Sequence, residues 1–435
     1  MRLFLFAIFL SCTAVQGAEP GKVCDRNGVV LMKMEWKDDG TIVRKFPFKA
    51  FAAHLLSDLR ADVLPKQGET VFLTIDVRAQ VAAETALRAV PRGCAILVDP
   101  KNGDVLAMAS VPSFDPGAFD EKVLSEDETA PLVNRATSAY APGALYLPVT
   151  LLSGISAGLG NFEYTCTGSR QFGSRVMRCW IAHQGGGHGP EKLIDGLRNS
   201  CNTYFYSLGV AVGPDKMAFT AEALGLGRPS GLPLKNEAPG VLGDPKSLAQ
   251  TNPLEKWSDG YTANVAIGQG MVTATPLQMA SLAATLADGD AVRQLRLIDR
   301  VVFADGRKVR PDERIRTSLK DLGISSADFS LVRAALLASV NDAGGNAPKG
   351  RIPGFQVGGR TGTAQFWRNG KKDNHTAFLG FAESEKASYA FCVFVQGAKS
   401  GGGVAVPLAA RIVSSIGKHD PVPLEPAKGS VEAVE

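Results

Sequence analysis

The sequence predicts an α+β fold in which an antiparallel sheet packs between helices. Strand-like runs lie at both ends of the 435-residue chain. A long helical and loop-rich middle separates them. The strand runs also come as hairpins, whose partners pair antiparallel. The early hairpin is CAILVDPKNGDVLAMAS, two apolar runs around Lys101-Asn102-Gly103-Asp104 with an Asn-Gly turn. The late one is FQVGGRTGTAQFW and TAFLGFAES, with RNGKKDNH read as the loop between them. ASYAFCVFVQG adds one strand, and VAVPLAARIVSSIGKH closes the chain as an amphipathic helix.

Before the early hairpin, Asn27-Gly28 marks a further hairpin. Phe48 to Leu59 reads as a short amphipathic helix after Pro47. VLPKQGET reads as a linker, VFLTID as a strand and VRAQVAAETALRAV as an alanine-rich helix. The chain is 45% hydrophobic and 21% charged, enough apolar material for a large core. Its net charge of +4 comes without a basic run, so nucleic acid is not an implied partner. MRLFLFAIFLSCTAVQGAEP has Arg2, an apolar run and small residues before Gly17 or Ala18, the pattern of a secretory signal peptide over 1–17. The mature chain is therefore expected outside the cytoplasm, in the periplasm or on the outer face of the membrane. An uncleaved anchor is the lesser alternative, and Ser11-Cys12 fits a lipoprotein site poorly. Of seven cysteines, six remain after cleavage, and export makes disulfides the default reading.

The order of LTIDVRAQ, VDPKNGDVLAMASVPSFDP, NRATSAYAPG, GHGPEKL, NSCNTYFYSLG, SGLPLKNEAPGVLGDP, NVAIGQGMVTATPLQMA, VGGRTGTAQF and NHTAFLGFAE resembles the transpeptidase domain of class B penicillin-binding proteins, closest to the elongation or rod-shape type. The resemblance implies the penicillin-recognising transpeptidase, or serine β-lactamase-like, fold over 69–420. It implies a reduced N-terminal pedestal over 18–68, without the family's head region; PVPLEPAKGSVEAVE, 421–435, reads as a flexible tail.

That family works through three motifs. In S-x-x-K a serine attacks a D-Ala-D-Ala carbonyl or a β-lactam, and a lysine one helical turn on takes its proton. Aligned on Pro142-Gly143, this chain has Ala144 at the serine position and Leu147 at the lysine position. The second motif, S-x-N, is present as Ser200-Cys201-Asn202. The third, K-T-G, is Arg360-Thr361-Gly362, followed by Thr363 on the edge strand that would pair with a peptide. Ser200, Asn202, Arg360, Thr361, Gly362 and Thr363 are thus the expected substrate-holding set. Arg360 keeps a charge for a carboxylate but not the compact geometry of lysine. No covalent route remains at Ala144.

Other nucleophiles are weak candidates. Ser415-Ile416-Gly417-Lys418 is the chain's literal S-x-x-K, in the last helix. Ser156 in GISAG lacks the strand-to-helix setting of a nucleophile elbow. Thr137, Ser138, Tyr140 and Tyr146 lie near the turn but without a base. Gly268-Gln269-Gly270 lacks a phosphate-loop lysine, and the resemblance implies a structural role near the cleft.

Cys166, Cys179, His188 and Cys201 form a second constellation, a donor set suited to structural zinc. The resemblance sharpens it, because some elongation-type relatives carry metal ligands around a GHG segment and the middle residue of the second motif. A Cys166–Cys179 disulfide is the alternative, with His183 a spare imidazole. His54 and His375 read as packed or surface residues.

The functional expectation is a non-catalytic pseudo-transpeptidase, acting in peptidoglycan synthesis or cell-shape maintenance. It would bind stem peptide or wall-elongation proteins, and β-lactams non-covalently. The alternatives are an active D,D-transpeptidase or β-lactamase with an unrecognised nucleophile, and a zinc-stabilised structural or sensing module.

Overall fold

The structure is a computed structural model describing residues 19–118, 130–368, 371–398 and 402–418. The signal-peptide reading, Cys12 and the tail from 421 lie outside these residues. Among them, no helix is long and apolar enough to cross a membrane.

A five-stranded antiparallel sheet forms the centre, in the order Gln356–Arg368, Lys371–Glu383, Ser388–Gln396, Gly93–Val98, Val105–Val111. Gly93–Val98 is buried along its whole length, which explains its unbroken apolar run, since helices cover both faces. On one face Ala95, Leu97, Phe391 and Val393 pack with Ala79, Ala83, Val406 and Ile412, from the helices Val77–Leu87 and Ala405–Ser415. Alanines on the first helix let it lie close to the sheet. Asp76 starts that helix by accepting a hydrogen bond from the Arg78 amide at 2.9 Å. On the other face Ile96, Val98, Cys392 and Leu379 join the larger core with the helices Leu147–Ser156 and Pro276–Asp288.

Two local readings are corrected. The helix expected from Phe48 to Leu59 spans only Ala53–Asp58, because Ala52 sits in the left-handed region at φ 50° and leaves the preceding residues as turns. RNGKKDNH is not a loop through His375. The partner strand begins at Lys371, and pairing runs from Arg368↔Lys371 through Ala364↔His375. Continuous pairing with Gln356–Arg368 overrides the poor strand propensity of these polar residues.

The N-terminal strands do not stand alone. Gly21–Cys24, Val30–Trp36 and Ile42–Lys45 share a six-stranded sheet with Thr70–Leu73, Ile298–Val302 and Lys308–Val309. The Asn27-Gly28 turn forms as expected, with Asp25 Oδ1 accepting from the Asn27 and Val29 amides at 2.9 and 2.8 Å.

Candidate active-site cleft and cysteine cluster

Where the central sheet's edge strand meets the turn before Leu147–Ser156, an open cleft holds about 810 Å³ of empty space. Glycines build its turn wall. The Gly143 amide donates to the Gly268 carbonyl at 2.8 Å. A Cβ on Gly268 would stand 2.0 Å from the Gly143 oxygen, and one on Gly143 would stand 2.6 Å from the Thr363 oxygen. A Cβ on Gly362 would meet Leu145 Cγ at 2.8 Å. The turn, the 268–270 loop and the edge strand therefore touch backbone to backbone.

Ala144 lies on this wall, half-buried and facing the cleft. Leu147 does not line it. It is 1% exposed, within the core of its helix. Its side chain therefore takes up none of the cleft.

Strand alternation sorts the third motif. Thr361 and Thr363 line the cleft, and Thr363 is exposed. Gly362 and Ala364 are buried against the turn. Arg360 touches the cleft but is 1% exposed, and its Nη1 donates to the Leu197 carbonyl at 2.8 Å. Burial pushes its guanidinium down to about 9. Nε has no partner. The charge thus lies beneath the cleft wall. Thr361 is tied to Asn346 at 3.2 Å, and Asn346 Nδ2 donates to the Arg198 carbonyl at 3.1 Å.

The opposite wall carries the second motif. Ser200 ends the helix Leu193–Asn199 in the left-handed region, φ 56° and ψ 41°. That conformation is costly without glycine, on the order of 1–2 kcal/mol. Asn202 opens the helix Asn202–Val212. Both line the cleft while Cys201 between them is fully buried, so the motif divides between a cleft side and a rear side.

At the rear, Cys166, Cys179, His188 and Cys201 offer ligand atoms that all lie within 4.8 Å of one another. Cys179 Sγ is 3.6 Å from His188 Nδ1, and His188 Nε2 is buried without a hydrogen-bond partner. All of the cysteines here are free thiols. A hydrogen bond from Cys201 pushes the Cys179 thiol down and pushes Cys201 up in turn. This set fits a tetrahedral metal of zinc type. His183 is exposed and outside the group.

Sequence reasoning missed Trp180, Asn199, Asn346 and Ile267 as cleft residues. Trp180 follows a candidate ligand directly, and Asn199 precedes the second motif, so adjacency was the available signal. Trp180 is 43% exposed, stands 5.2 Å from the His188 ring and donates through Nε1 to the Asn199 carbonyl at 3.0 Å. Gln269, expected near the cleft, lines it.

The substitute nucleophiles are elsewhere engaged. Ser156 donates to the Leu322 carbonyl, Ser138 to that of Asn134 at 2.8 Å and Ser415 to that of Ile412 at 3.0 Å. Thr137 is buried beside the Asn134 carbonyl. Burial pushes the Tyr140 phenol up to about 12 and the enclosed Tyr146 phenol higher still. None of these six lines the cleft.

The sequence model described as the penicillin binding protein transpeptidase domain matches residues 93–414. The chain belongs to this family. It is 30% identical over 367 residues to the peptidoglycan D,D-transpeptidase MrdA of Acinetobacter baumannii, covering 78% of this chain and 53% of that protein. It is 29% identical over 394 residues to stage V sporulation protein D of Bacillus subtilis, covering 85% and 56%. The chain thus spans about half the length of these curated relatives. The crystal structure of Pseudomonas aeruginosa PBP2 in complex with WCK 5153 superposes with a TM-score of 0.77 at 27% identity, over 92% of this chain and 95% of that one. Penicillin-binding protein A of Mycobacterium tuberculosis, solved as an acyl-enzyme complex, shares the fold with a TM-score of 0.76 at 20% identity. The mixed α+β architecture is therefore that of a class B penicillin-binding transpeptidase domain.

Proposed function

We propose that this chain is a non-catalytic transpeptidase-domain protein of the cell envelope. It binds peptidoglycan stem peptide in its cleft, and β-lactams without acylation, in wall synthesis or cell-shape maintenance. The observation that carries the reading is the pair of positions behind the Pro142-Gly143 turn, Ala144 facing the cleft and Leu147 in the core. An acyl transfer needs an attacking atom and a group to take its proton. Alanine supplies neither and leucine supplies neither. What remains suits binding. The exposed strand edge at Thr363 can pair with an extended peptide. Ser200 and Asn202 face the same space, and Arg360 places positive charge beneath a bound carboxylate. The role in the wall rests on the likeness to MrdA, a peptidoglycan D,D-transpeptidase.

The test is intact-mass spectrometry of the folded protein after incubation with a reactive penicillin, alongside a titration of binding. No adduct with measurable binding is expected. A stoichiometric adduct overturns the proposal, and peptide mapping then names the nucleophile.

A second part of the reading is a structural zinc held by Cys166, Cys179, His188 and Cys201. The convergence of four donor atoms and the unpartnered His188 Nε2 favour it. Bound zinc would keep the thiols ionised and cross-link the chain behind Ser200. Metal analysis of the purified protein is expected to find one zinc per chain. A metal-free, fully stable protein would dispose of the idea.

A further inference from the structure

We infer a second ligand site, separate from the cleft, that takes the zwitterionic head of an α-amino acid, its ammonium and carboxylate together. A groove of about 1260 Å³ of empty space runs between the hairpin formed by Ser169–Phe172 and Arg175–Arg178 and the segment 255–264. The hairpin contributes Arg170 and Arg175. The facing segment contributes Glu255 and Asp259. Among the described residues, none of these four enters an ion pair.

Opposed charges that do not neutralise each other select a ligand that carries both signs. A plain anion would satisfy the arginines and meet repulsion from Glu255 and Asp259. A plain cation would meet the reverse. Only a zwitterion gains on both sides. Aromatic surface from Phe172 and Tyr261 also lines the groove and suits an aliphatic tail.

One charged group on each side, Arg170 and Glu255, is held in place. The Arg170 guanidinium lies 5.0 Å from the Phe172 ring centre and 5.6 Å from that of Tyr164. Glu255 accepts from the Tyr261 hydroxyl and from Asn252 Nδ2 at 2.8 Å. The hairpin is anchored at its back, where Phe172 meets the Tyr206 ring at 6.1 Å and Met177 packs with Tyr206 and Ala263. It hangs between Cys166 and Cys179 in the sequence. The cleft is a neighbour but not the same space. Ile267 packs on this small apolar cluster and lines the cleft, and no residue lines both cavities.

The test is titration of the full folded chain at low salt with norleucine, N-acetylnorleucine and norleucine amide, followed by ligand-observed NMR. Norleucine should bind about tenfold more tightly than either blocked form, since each blocked form loses one charge-assisted contact. Arg175→Glu and Asp259→Lys should each lower its affinity about tenfold. Both positions are exposed, and circular dichroism checks that the variants fold. Equal binding of the three probes, no binding of norleucine, or wild-type affinity in both variants overturns the inference. Asn202→Ala should leave norleucine binding intact. Loss in that variant places the probe in the cleft, which ends the second-site inference without touching the proposal for the cleft.

Discussion

The two walls of the cleft are built on different principles. The turn wall is defined by its backbone, and on the proposed reading it carries no reactive side chains. Gly143, Gly268 and Gly362 still allow approaches that any Cβ would block, yet Ala144 and Leu147 occupy the working positions. The second-motif wall keeps Ser200 and Asn202 facing the cleft and has three thiols and an imidazole gathered behind them. On the proposed reading, shape and reactivity are separable in this fold. Glycines at contact points encode the first, and two side chains one helical turn apart encode the second.

The largest expected effect tests the reinforced wall. Cys179→Ser combined with Cys201→Ser should cost about 2–5 kcal/mol in chemical denaturation, the range of a large core truncation, because the proposed zinc would lose two of its four donors. A chelator should reproduce much of that loss in the unmodified protein. If neither treatment moves the midpoint, the cluster is not what holds Ser200 in its left-handed conformation.

The packing behind the turn wall should be sensitive to acid. His375, 6% exposed, lies edge-on to Tyr140 with ring centres 5.1 Å apart. Burial pushes its imidazole down to about 4. The folded protein therefore holds it neutral, while the unfolded chain takes a proton near its ordinary value of about 6.5. The folded-state value is the lower one, so stability is full above about 6.5 and falls as the pH drops toward 4. The loss is on the order of 3 kcal/mol across that window. Urea denaturation at stepped pH should show the slope, and His375→Gln should flatten it by about one proton.

Gly268→Ala probes the turn wall's shape directly. The residue has φ +70°, and its new Cβ would press on the Gly143 oxygen. The expected loss exceeds about 1 kcal/mol, with weaker ligand binding as the turn shifts. Alanine at the exposed turn position Gly173, where a Cβ would meet nothing within 4 Å, is the control for φ alone.

Much of this was readable from the residues, and the rest failed for physical reasons. Asn-Gly turns and unbroken apolar runs gave the hairpins, since those signals are local. The order of motifs placed Ala144, Ser200, Asn202, Thr361 and Thr363 together. The six-stranded N-terminal sheet was not legible, because its pairing of Thr70–Leu73 with Ile298–Val302 joins segments more than two hundred residues apart and leaves no local mark. The inward turn of Arg360 was legible in principle. Alternation along R-T-G-T puts Arg360 and Gly362 on the face opposite Thr361 and Thr363. Trp180 was harder to place, because its position on the cleft depends on the nonlocal contacts it makes with Asn199 and the His188 ring.

The smallest expected effect on stability is also the sharpest test of the comparison. Ala144 is half-buried on the open cleft, so Ala144→Ser adds one hydroxyl where space exists. Its stability should stay within about 0.5 kcal/mol of the parent. Penicillin should still leave no adduct, because a serine restores the attacking atom and not the base. Leu147 has no lone pair to take the proton. The neighbouring guanidinium of Arg360 has donors only, one of them already given to the Leu197 carbonyl. Adding Leu147→Lys puts an ammonium where the side chain is 1% exposed, and burial there favours the neutral amine that a general base requires. An adduct in the double variant and none in the single one would mean that the turn wall kept a working backbone and lost only two side chains. An adduct in the single variant would mean that the cleft still holds a base, and the separation of shape from reactivity would fail at its simplest point.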